Sequence, residues 1–404
     1  MTGTDTPDVG GGLPDELTNA RRQRDAALAR LRHLESSPSY RIGRAATWAP
    51  RALRSFLRTL PLRRTSAQPS SALTRTAAAP PAPRVLRDWT PAPRVENPDV
   101  SVVIPVYNSA AWLQDCLVSV LSQGGITLEV ICVDDGSTDD SGRILRQIAD
   151  KDRRVEILDQ ENSGQSVARN RGLETASGRY VIYLDSDDLW QDDALAALVS
   201  RADAEELDLL LFDSFAFLDG AVSDATWERY ATYYQRSQEY REVRSGFQML
   251  ADMRSRRDYR PHVGLYLART EFVRRAGTRF VPGIVHQDNP YTFSLLLHAT
   301  RVAHVKSDFY ARRIRPGSTI TGLDDLRSAK GYFLSYVAMM RELGSAELPP
   351  EVSDSVADVV HGVFQGAQKK VAFLSAEDVR TLSALDRAMD AQLVLRALLP
   401  GRSR

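Results

Sequence analysis

The hydrophobic pattern of residues 100–212 changes period repeatedly along the chain. Short runs of apolar and β-branched residues alternate with stretches in which apolar residues recur every three or four positions. The runs predict buried strands at 102–107, 128–133, 155–158, 180–184 and 207–212. The stretches between them predict helices at 110–122, 138–149, 164–176 and 192–202. Strands that alternate with helices of this length form a mostly parallel, doubly wound sheet, so we predict the α/β fold class.

The pattern is weaker after residue 213. Residues 225–260 are rich in aromatic side chains and arginine. Short strands are predicted at 262–268, 302–305 and 309–313, and a helix is predicted at 288–298. Residues 325–395 have helical spacing with a break at the pair Pro349 and Pro350, so we expect a helical C-terminal region.

The first 98 residues differ from the rest in charge and composition. They predict a helical region at 1–64 and a Pro/Ser/Ala-rich linker at 65–98. Within 40–64, apolar residues at helical spacing alternate with arginines, and no acidic residue occurs from 36 to 87. Such a segment lies on an anionic membrane surface or packs on a domain with its arginines in water, and both interpretations stay open. The helix expected at 15–35 is either part of a coiled coil or solvated.

Composition excludes several classes of protein. Apolar residues make up 43% and charged residues 26% of the chain, which excludes global disorder and collagen-like structure. The 52 basic and 52 acidic residues balance, so overall charge does not indicate nucleic acid. Cys116 and Cys132 make no disulfide framework and fit a reducing cytoplasm. The N-terminus does not read as a secretory signal, and no apolar run reaches the roughly 18 residues of a spanning helix, so we expect any membrane contact at the surface.

Polar residues collect where the predicted strands end. The first strand ends in Pro-Val-Tyr-Asn at 105–108, the second in Val-Asp-Asp-Gly-Ser-Thr-Asp at 133–139, and the fourth in Asp-Ser-Asp-Asp at 185–188. These ends meet at one edge of a parallel sheet, where ligands bind. Three carboxylates within four residues repel one another unless a cation joins them, and Mn²⁺ or Mg²⁺ prefers such oxygen ligands. A solvated turn and helix cap is the alternative for the acidic cluster alone.

Four motifs, taken together and in order, resemble glycosyltransferase family 2. They are the three strand ends and the segment Asn-Ser-Gly-Gln-Ser-Val-Ala-Arg-Asn-Arg-Gly at 162–172. The resemblance implies a GT-A fold, which has a Rossmann-like, mostly parallel sheet, and an inverting transfer from a nucleotide-diphosphate sugar, most often a UDP-sugar. It divides the catalytic domain into a nucleotide-sugar-binding half at 99–215 and an acceptor-binding half at 216–325, followed by the helical region 326–404.

The resemblance also implies roles for individual residues in donor binding. Tyr107 would lie beside the nucleotide base after Pro105, Asp135 would accept a hydrogen bond from the uracil ring, and Arg169 would meet the nucleotide. Asp185, Asp187 and Asp188 match the motif that binds metal and ribose-diphosphate, with Asp187 expected as the direct metal ligand and Asp185 as the second. Ordinary packing of Tyr107 and a surface ion pair of Arg169 are the alternatives.

An inverting transfer needs a base that takes the proton of the acceptor hydroxyl. The segment 280–291 resembles the family's Glu-Asp segment, which implies that Asp288 is the catalytic base. Asp288 is alternatively the N-cap of the helix that follows, and the two roles are compatible. The sequence departs from the family pattern at Gln287, where glutamate is usual, so a role that needs a second carboxylate is in doubt.

A basic segment follows the predicted base. Arg313, Arg315 and Ser318 lie in a stretch that resembles the family's basic segment, which implies a loop that binds the diphosphate or the acceptor. A basic surface loop is the alternative. His262, His286 and His304 are not spaced as a metal site; we expect His286 near the cleft and the other two in strands.

We therefore expect a metal-dependent inverting glycosyltransferase that uses a nucleotide-sugar donor and Mn²⁺ or Mg²⁺. Its acceptor would be a hydroxyl of a cell-surface polysaccharide, a teichoic-acid-like polymer or a lipid-linked saccharide. We expect it in the cytoplasm, peripheral on the inner face of the membrane, and oligomerisation stays open. The alternative is a catalytically degenerate family member that serves as a membrane-associated scaffold, for which Gln287 is the one feature in favour.

Overall fold

The computed structural model describes residues 83, 89–318 and 325–389. The helical, basic N-terminal region and most of the linker predicted from the sequence lie outside these residues. The residues that build the site discussed below belong to one compact unit, Pro80–Met339 with Glu347–Arg404. Within the described chain, no helix combines the length and the apolar character needed to cross a membrane.

Strands and helices alternate in the first half of the described chain and helices dominate the end. The strands are β1 Val100–Val106, β2 Leu128–Asp134, β3 Val155–Asp159, β4 Tyr180–Tyr183, β5 Leu189–Trp190, β6 Leu209–Leu218, β7 Tyr266–Arg269 and β8 Val302–Ile314. The helices are α1 Ala110–Leu121, α2 Ser141–Ala149, α3 Gln165–Thr175, α4 Ala194–Ala204, α5 Asp224–Tyr230, α6 Gly246–Ser255, α7 Thr270–Ala276, α8 Asp288–His298, α9 Asp325–Ser345, α10 Pro350–Val371 and α11 Ala376–Met389.

The strands form one sheet of eight in the order β3-β2-β1-β4-β7-β6-β8-β5. The first four are parallel, and Val103 of β1 pairs with Ile131 of β2 and with Tyr183 of β4. Both β1 and β2 are buried along their whole length, as expected for parallel strands covered on both faces. The predicted mostly parallel α/β fold with a helical C-terminal region is confirmed.

The second half of the sheet differs in detail from the pattern-based prediction. Residues 207–212 were expected to form a fifth strand, but β6 is longer and pairs antiparallel with β7, which lies between it and β4. The strand expected at 262–268 begins as a 3₁₀ turn at Val263–Leu265 and continues as β7. The two-residue strand β5 is too short for a periodic signal.

The two strands predicted at 302–305 and 309–313 are one strand, β8. Residues 306–308, Lys-Ser-Asp, separate the two predicted strands. In the structure they stay extended, and the register of β6 shifts opposite them between Phe212 and Ser214, as at a β-bulge. Lys306 donates to the backbone oxygen of Ser237. The strand therefore continues to the polar end of the sheet.

Helix α3 packs unusually close to the sheet. A Cβ atom at Gly172 would lie 2.3 Å from Cγ1 of Val103 in β1, so this position of the helix requires glycine. The same helix carries Arg169 three residues earlier, which is buried. The close approach of α3 to β1 at Gly172 therefore fixes the position of Arg169 relative to the ends of the strands.

A buried charged cluster lies beside the irregular part of β6. Asp213 accepts from Nη1 of Arg236 at 2.8 Å and lies 3.1 Å from Nε2 of His304, and all three residues are buried. His304 also accepts from the backbone nitrogen of Tyr240 through Nδ1. The hydrogen bonds of this cluster hold the chain segment between β6 and α6 against β8.

We predict that Asp213→Asn destabilises the protein by about 3 kcal/mol, because it leaves the buried Arg236 guanidinium without a counter-charge. Chemical denaturation at pH 7 measures the change. The matched control is Asp140→Asn, whose partner Arg143 is on the surface and whose loss should leave the free energy of unfolding unchanged. Equal stability of the two variants would contradict the prediction.

Candidate active site

The three polar strand ends predicted from the sequence meet at one edge of the sheet. Asn108 follows β1 with φ of 47°, a left-handed conformation that asparagine tolerates. Its Oδ1 accepts from the backbone nitrogen of Thr138 at 2.8 Å, which holds the loop after β2 against the end of β1. The hydroxyls of Ser109 and Ser186 are 2.6 Å apart and join the same region to the loop after β4. The predicted convergence therefore occurs.

Asp135 organises the loop that precedes α3. Its Oδ1 accepts from the backbone nitrogen of Ser163 and its Oδ2 accepts from that of Gly164, at 2.7 and 2.9 Å. Gln160 donates a further bond to Oδ1. Gly164 has φ of 89°, which favours glycine at this turn. The side chain is buried, so a nucleotide would have to share or replace bonds that Asp135 already makes.

The residues expected to flank the nucleotide lie at the first strand end. Pro105 is part of β1 and pairs in register with Val133 of β2. Tyr107 is 51% exposed, which is unusual for a large aromatic side chain and leaves its ring open to a ligand. A cavity of about 330 Å³ opens at the ends of β2 and β3; among its lining residues are Asp134, Gly136 and Arg146.

Arg169 lies between two of the predicted site carboxylates. Its Nη2 donates to Oδ1 of Asp185 at 2.6 Å, and its Nη1 is 3.7 Å from Oδ1 of Asp288. The guanidinium sits 5.3 Å from the ring centre of Phe280, and the side chain is buried. Arg169 is therefore a buried ion-pair residue, and the surface interpretation is wrong.

The cations that join the 185–188 carboxylates in this structure are arginines. Arg315 pairs with Oδ2 of Asp187 at 2.8 Å, as Arg169 pairs with Asp185. Asp188 is buried and accepts from the hydroxyl of Tyr310 and from the backbone nitrogen of Arg313, both at 2.7 Å. The sequence argument required a cation beside this cluster, and side chains of the same chain meet that requirement.

The pKa values of these carboxyls diverge because their surroundings differ. Burial alone would raise the pKa of Asp185, but Arg169, His262 and Arg312 together outweigh burial, so the pKa lies below its usual value. Burial and the charge of Asp185 together raise the pKa of Asp187. Burial and the charge of Asp187 raise the pKa of Asp188 well above its usual range. The cluster would therefore gain from additional positive charge near Asp187 and Asp188.

The basic segment at the end of β8 is fastened to this cluster and is not a separate surface loop. Arg313 donates from Nε to the backbone oxygen of Asp187 and from Nη1 to Asp219. The Arg315 guanidinium stacks on Trp112, 3.7 Å from the ring centre. Ser318 ends the described part of this segment, one residue after Gly317. The segment thus lies beside the acidic motif, where the resemblance placed it.

Asp288 is the first residue of α8, and Gln287 occupies the N-cap position. The sequence-based alternative that Asp288 is the N-cap is therefore wrong by one residue. The Asp288 side chain is 23% exposed, and burial raises its pKa to about 6 although Arg169 opposes the shift. A carboxylate with this pKa is ionised at pH 7 and is a stronger base than an exposed aspartate.

Three side chains approach the geometry of a metal site. One ligand atom each of Asp185, Asp188 and His262 lies within 4.8 Å of the others. Nδ1 of His262 accepts from the backbone nitrogen of Gly264, and burial lowers the pKa of the ring to about 3. The neutral ring therefore carries its proton on Nε2, 3.9 Å from Asp185, and offers no lone pair to an ion. A metal-binding histidine usually donates through its second nitrogen, which is the reverse of this arrangement.

The carboxylates themselves fit an oxygen-preferring divalent ion. Within the described residues, the hydrogen bonds to Asp185 end on Oδ1 and those to Asp187 end on Oδ2. The other oxygen of each side chain accepts no hydrogen bond within these residues, although Oδ2 of Asp185 lies 3.9 Å from Nε2 of His262. Carboxylate oxygens are the ligands that Mg²⁺ and Mn²⁺ prefer, so the donor set matches the ion expected from the sequence.

Sequence reasoning missed Tyr310, and it gave Arg312 only as the first residue of the basic segment, without a role of its own. Arg312 sits 4.5 Å from the ring centre of Tyr234, and its Nη1 is buried without a hydrogen bond in the described part of the chain. Tyr310 and Arg312 are two residues apart in β8, so period two places them on one face of the strand. That alternation was the signal available in the sequence. The ring of His286, which was expected near the cleft, stacks on Tyr332 of α9 and contacts Ser328.

Comparisons with known proteins agree with this arrangement. Residues 101–256 match the sequence model described as Glycosyl transferase family 2. The uncharacterized glycosyltransferase YibD of Escherichia coli is 31% identical over 212 residues, which are 52% of this chain and 60% of YibD. The putative teichuronic acid biosynthesis glycosyltransferase TuaG of Bacillus subtilis is 48% identical over 100 residues, or 24% of this chain and 40% of TuaG. The chain thus spans less than two thirds of these relatives.

The crystal structure of Staphylococcus aureus TarS 1–349 has a similar fold. It superposes with a TM-score of 0.55 at 18% identity and covers 75% of this chain and 82% of TarS 1–349. The curled, mostly parallel sheet and the acidic cluster at its polar edge define the class: this is a GT-A glycosyltransferase fold. Residues 101–256 of the chain thus form a domain that matches glycosyltransferase family 2.

The raised pKa of Asp288 has a consequence for stability. The folded protein binds a proton at this carboxyl more tightly than the unfolded chain does, so folding becomes less favourable as the pH rises from about 4 to about 6. We predict that Asp288→Asn stabilises the ligand-free protein by about 2 kcal/mol at pH 8 and has no effect at pH 4. Denaturation curves across this pH range measure the difference.

Asp152→Asn is the matched control, with the opposite sign. Burial alone would raise the pKa of Asp152, but the hydrogen bonds and the charge of Arg154 together outweigh burial, so the pKa lies below its usual value. The ionised form of Asp152 therefore stabilises the fold at neutral pH. This variant should be less stable than the wild type at pH 7, and the difference should shrink as the pH falls through the pKa of Asp152 in the folded protein. If Asp288→Asn destabilised the protein at pH 8, the conclusion that the fold raises the pKa of Asp288 would be wrong.

Proposed function

We propose that this chain is a metal-dependent inverting glycosyltransferase that transfers a sugar from a UDP-sugar to a hydroxyl group. The observation that carries the proposal is the placement of Arg169 between Asp185, at the acidic motif, and Asp288, at the start of α8. A donor-side carboxylate and a basic carboxylate thus face one buried cation. An inverting transfer needs the leaving group on one side of the reacting carbon and a base on the other, and in this proposal Asp185 serves the first side and Asp288 the second.

The nucleoside is assigned to the ends of β1, β2 and β3. In this proposal Tyr107 stacks on the base, and Asp135 exchanges a backbone partner for the uracil ring. Pro105 shapes the end of β1, and Arg169 contacts the nucleotide. Support comes from the exposed ring of Tyr107 and from the neighbouring cavity. TarS, which shares the fold, has been crystallised with UDP and with UDP-GlcNAc.

The diphosphate is assigned to the acidic motif and the basic segment. Asp187 and Asp185 would hold Mn²⁺ or Mg²⁺, which when bound neutralises charge on the departing diphosphate. Asp188 positions the motif through Tyr310 and the backbone of Arg313. Arg315 and Ser318 lie on the segment that would face the phosphates. Arg312 supports this assignment, because its buried Nη1 has no hydrogen-bond partner among the described residues and suits an anion.

Asp288 is assigned as the base that removes the proton of the acceptor hydroxyl. Its pKa of about 6 keeps it ionised at neutral pH and makes proton transfer easier than for an ordinary aspartate. The hydroxyl of Tyr259 is buried and has no hydrogen bond within the described part, and burial together with the charge of Asp288 raises its pKa. We assign Tyr259 and its aromatic neighbours to the acceptor side.

The acceptor we propose is a cell-surface polysaccharide, a teichoic-acid-like polymer or a lipid-linked saccharide. TuaG, which is similar over 100 residues, is described as acting in teichuronic acid biosynthesis. We propose that the enzyme works in the cytoplasm at the inner face of the membrane, with 40–64 as the contact. We propose the same domain limits as the sequence predicts, 99–215 for the donor half and 216–325 for the acceptor half. The competing proposal of an inactive scaffold rests on Gln287.

We expect UDP with Mn²⁺ to raise the melting temperature of the protein, because a ligand that binds only the folded state stabilises it. GDP, CDP and TDP, each with and without Mn²⁺, are the matched ligands. Asp187→Ala should abolish the metal-dependent part of the shift, while Asp288→Asn should keep it and lose sugar transfer. A shift with another nucleotide would change the donor; no shift with any nucleotide would favour the scaffold.

We also expect the activity to depend on an acid with a pKa of about 6. Because Asp288 must be ionised to accept the proton, kcat/KM for the sugar donor found in the nucleotide test should fall about tenfold per pH unit below 6. A pH profile between 4.5 and 8 measures this limb. A flat profile through pH 6 with unchanged binding would argue against Asp288 as the base.

A further inference from the structure

Two glutamine side chains connect the segment before Asp288 to the acidic motif. Nε2 of Gln287 donates to Oε1 of Gln165 at 2.7 Å. Nε2 of Gln165 in turn donates to Oδ1 of Asp185 at 3.2 Å. Gln287 is buried at the N-cap of α8, and Gln165 is the exposed first residue of α3. The two amides therefore form a chain across the cleft, from the base segment to the motif.

The direction of this chain is fixed at its Asp185 end. Asp185 is ion-paired with Arg169, and an ionised carboxylate only accepts hydrogen bonds. Gln165 must present its NH₂ group to Asp185, so its oxygen faces Gln287. Gln287 must then present its own NH₂ group to that oxygen. The residue at position 287 has to be a donor, which glutamine is and an ionised glutamate is not.

We propose that Gln287 is a positioning residue that orients Asp185 through Gln165, and that its donor amide is required in this chain. The inference rests on the proposed function in taking Asp185 as part of the donor and metal site. Gln165 and Arg169 both bond to Oδ1 of Asp185, so the relay holds that oxygen and leaves Oδ2, which lies 3.9 Å from Nε2 of His262, without a hydrogen bond from either residue. The glutamine is an adaptation of this site and is no sign of a degenerate enzyme.

A glutamate at 287 would reverse the relay. Its carboxylate would accept from the NH₂ group of Gln165, and the Gln165 oxygen would then face the Asp185 carboxylate. Two acceptors in contact repel each other, so Gln165 would leave Asp185. Residue 287 therefore acts on Asp185 through Gln165. Removing the Gln165 amide should abolish the effect of residue 287 on Asp185.

The first test is a double-mutant cycle on the ligand-free protein with Gln165→Met and Gln287→Met, which keep side-chain length and remove the amides. Each single variant should lower the melting temperature by about 2 °C, and the double variant by no more than the larger single effect. Gln114→Met, at an exposed position of α1, is the matched control and should cause no shift. Additive effects would overturn the relay.

The second test measures the dissociation constant of UDP with Mn²⁺ by calorimetry in the same variants. Gln165→Met should weaken binding about tenfold, the cost typical of losing a partner of a metal ligand, and Gln287→Met about fivefold. In the otherwise wild-type protein, Gln287→Glu should weaken binding at least as much as Gln287→Met does. In the Gln165→Met variant, adding Gln287→Glu should weaken binding by less than a further twofold. A full loss in both backgrounds would mean that buried charge alone causes it, and the relay would be wrong.

The two tests separate the relay from the proposed function. A non-additive cycle in the ligand-free protein, with no binding of UDP and Mn²⁺ to the wild type, supports the relay and refutes the proposed donor. Wild-type binding together with an additive cycle keeps the donor and refutes the relay. A non-additive cycle in both measurements supports both.

Discussion

The buried guanidinium of Arg169 is the interaction on which the geometry of the site depends. It pairs with Asp185 at 2.6 Å and approaches Asp288 at 3.7 Å, so one cation sets the separation of the two halves of the cleft. A buried arginine is costly unless its partners hold it, and several contacts fix its position. Gly172 allows α3 to touch β1, and the Phe280 ring lies beneath the guanidinium. Asn170 donates to the backbone oxygen of Phe280 and accepts from its nitrogen, both at 2.9 Å.

The site contains negative charges whose mutual repulsion is only partly offset. Four carboxylates, Asp185, Asp187, Asp188 and Asp288, share a low-dielectric cleft with the arginines of the 312–315 segment and Arg169. The arginines offset much of the repulsion, but the pKa values of three of the four carboxyls remain raised. A site that binds a charged substrate usually carries such unrelieved charge, since relief on binding favours the complex. Stability is thereby exchanged for the ability to bind and react.

The two halves of the sheet contribute in different ways. The parallel half, β3-β2-β1-β4, brings three polar strand ends to one edge, which is the general ligand site of such sheets. The second half adds β7 antiparallel to β4 and carries the long β8 toward the acidic motif. This places Tyr310, Arg312 and Arg315 beside carboxylates more than 120 residues earlier in the chain. Asp288, at the start of α8, is joined to the parallel half through Arg169 of α3.

The sequence by itself determined the parallel half, because strands buried on both faces and short connecting helices leave a strong local pattern. It also determined the residue types of the site, since the motifs at 105–108, 133–139, 162–172 and 185–188 are contiguous in the chain. It could not show that β7 would enter the sheet antiparallel, that 302–314 is one strand, or that Arg312, Tyr310 and His262 meet the acidic motif. Nor could it show that Gln287 donates to Gln165. Those features depend on pairings between residues far apart in the chain, and only packing in three dimensions decides which of them form.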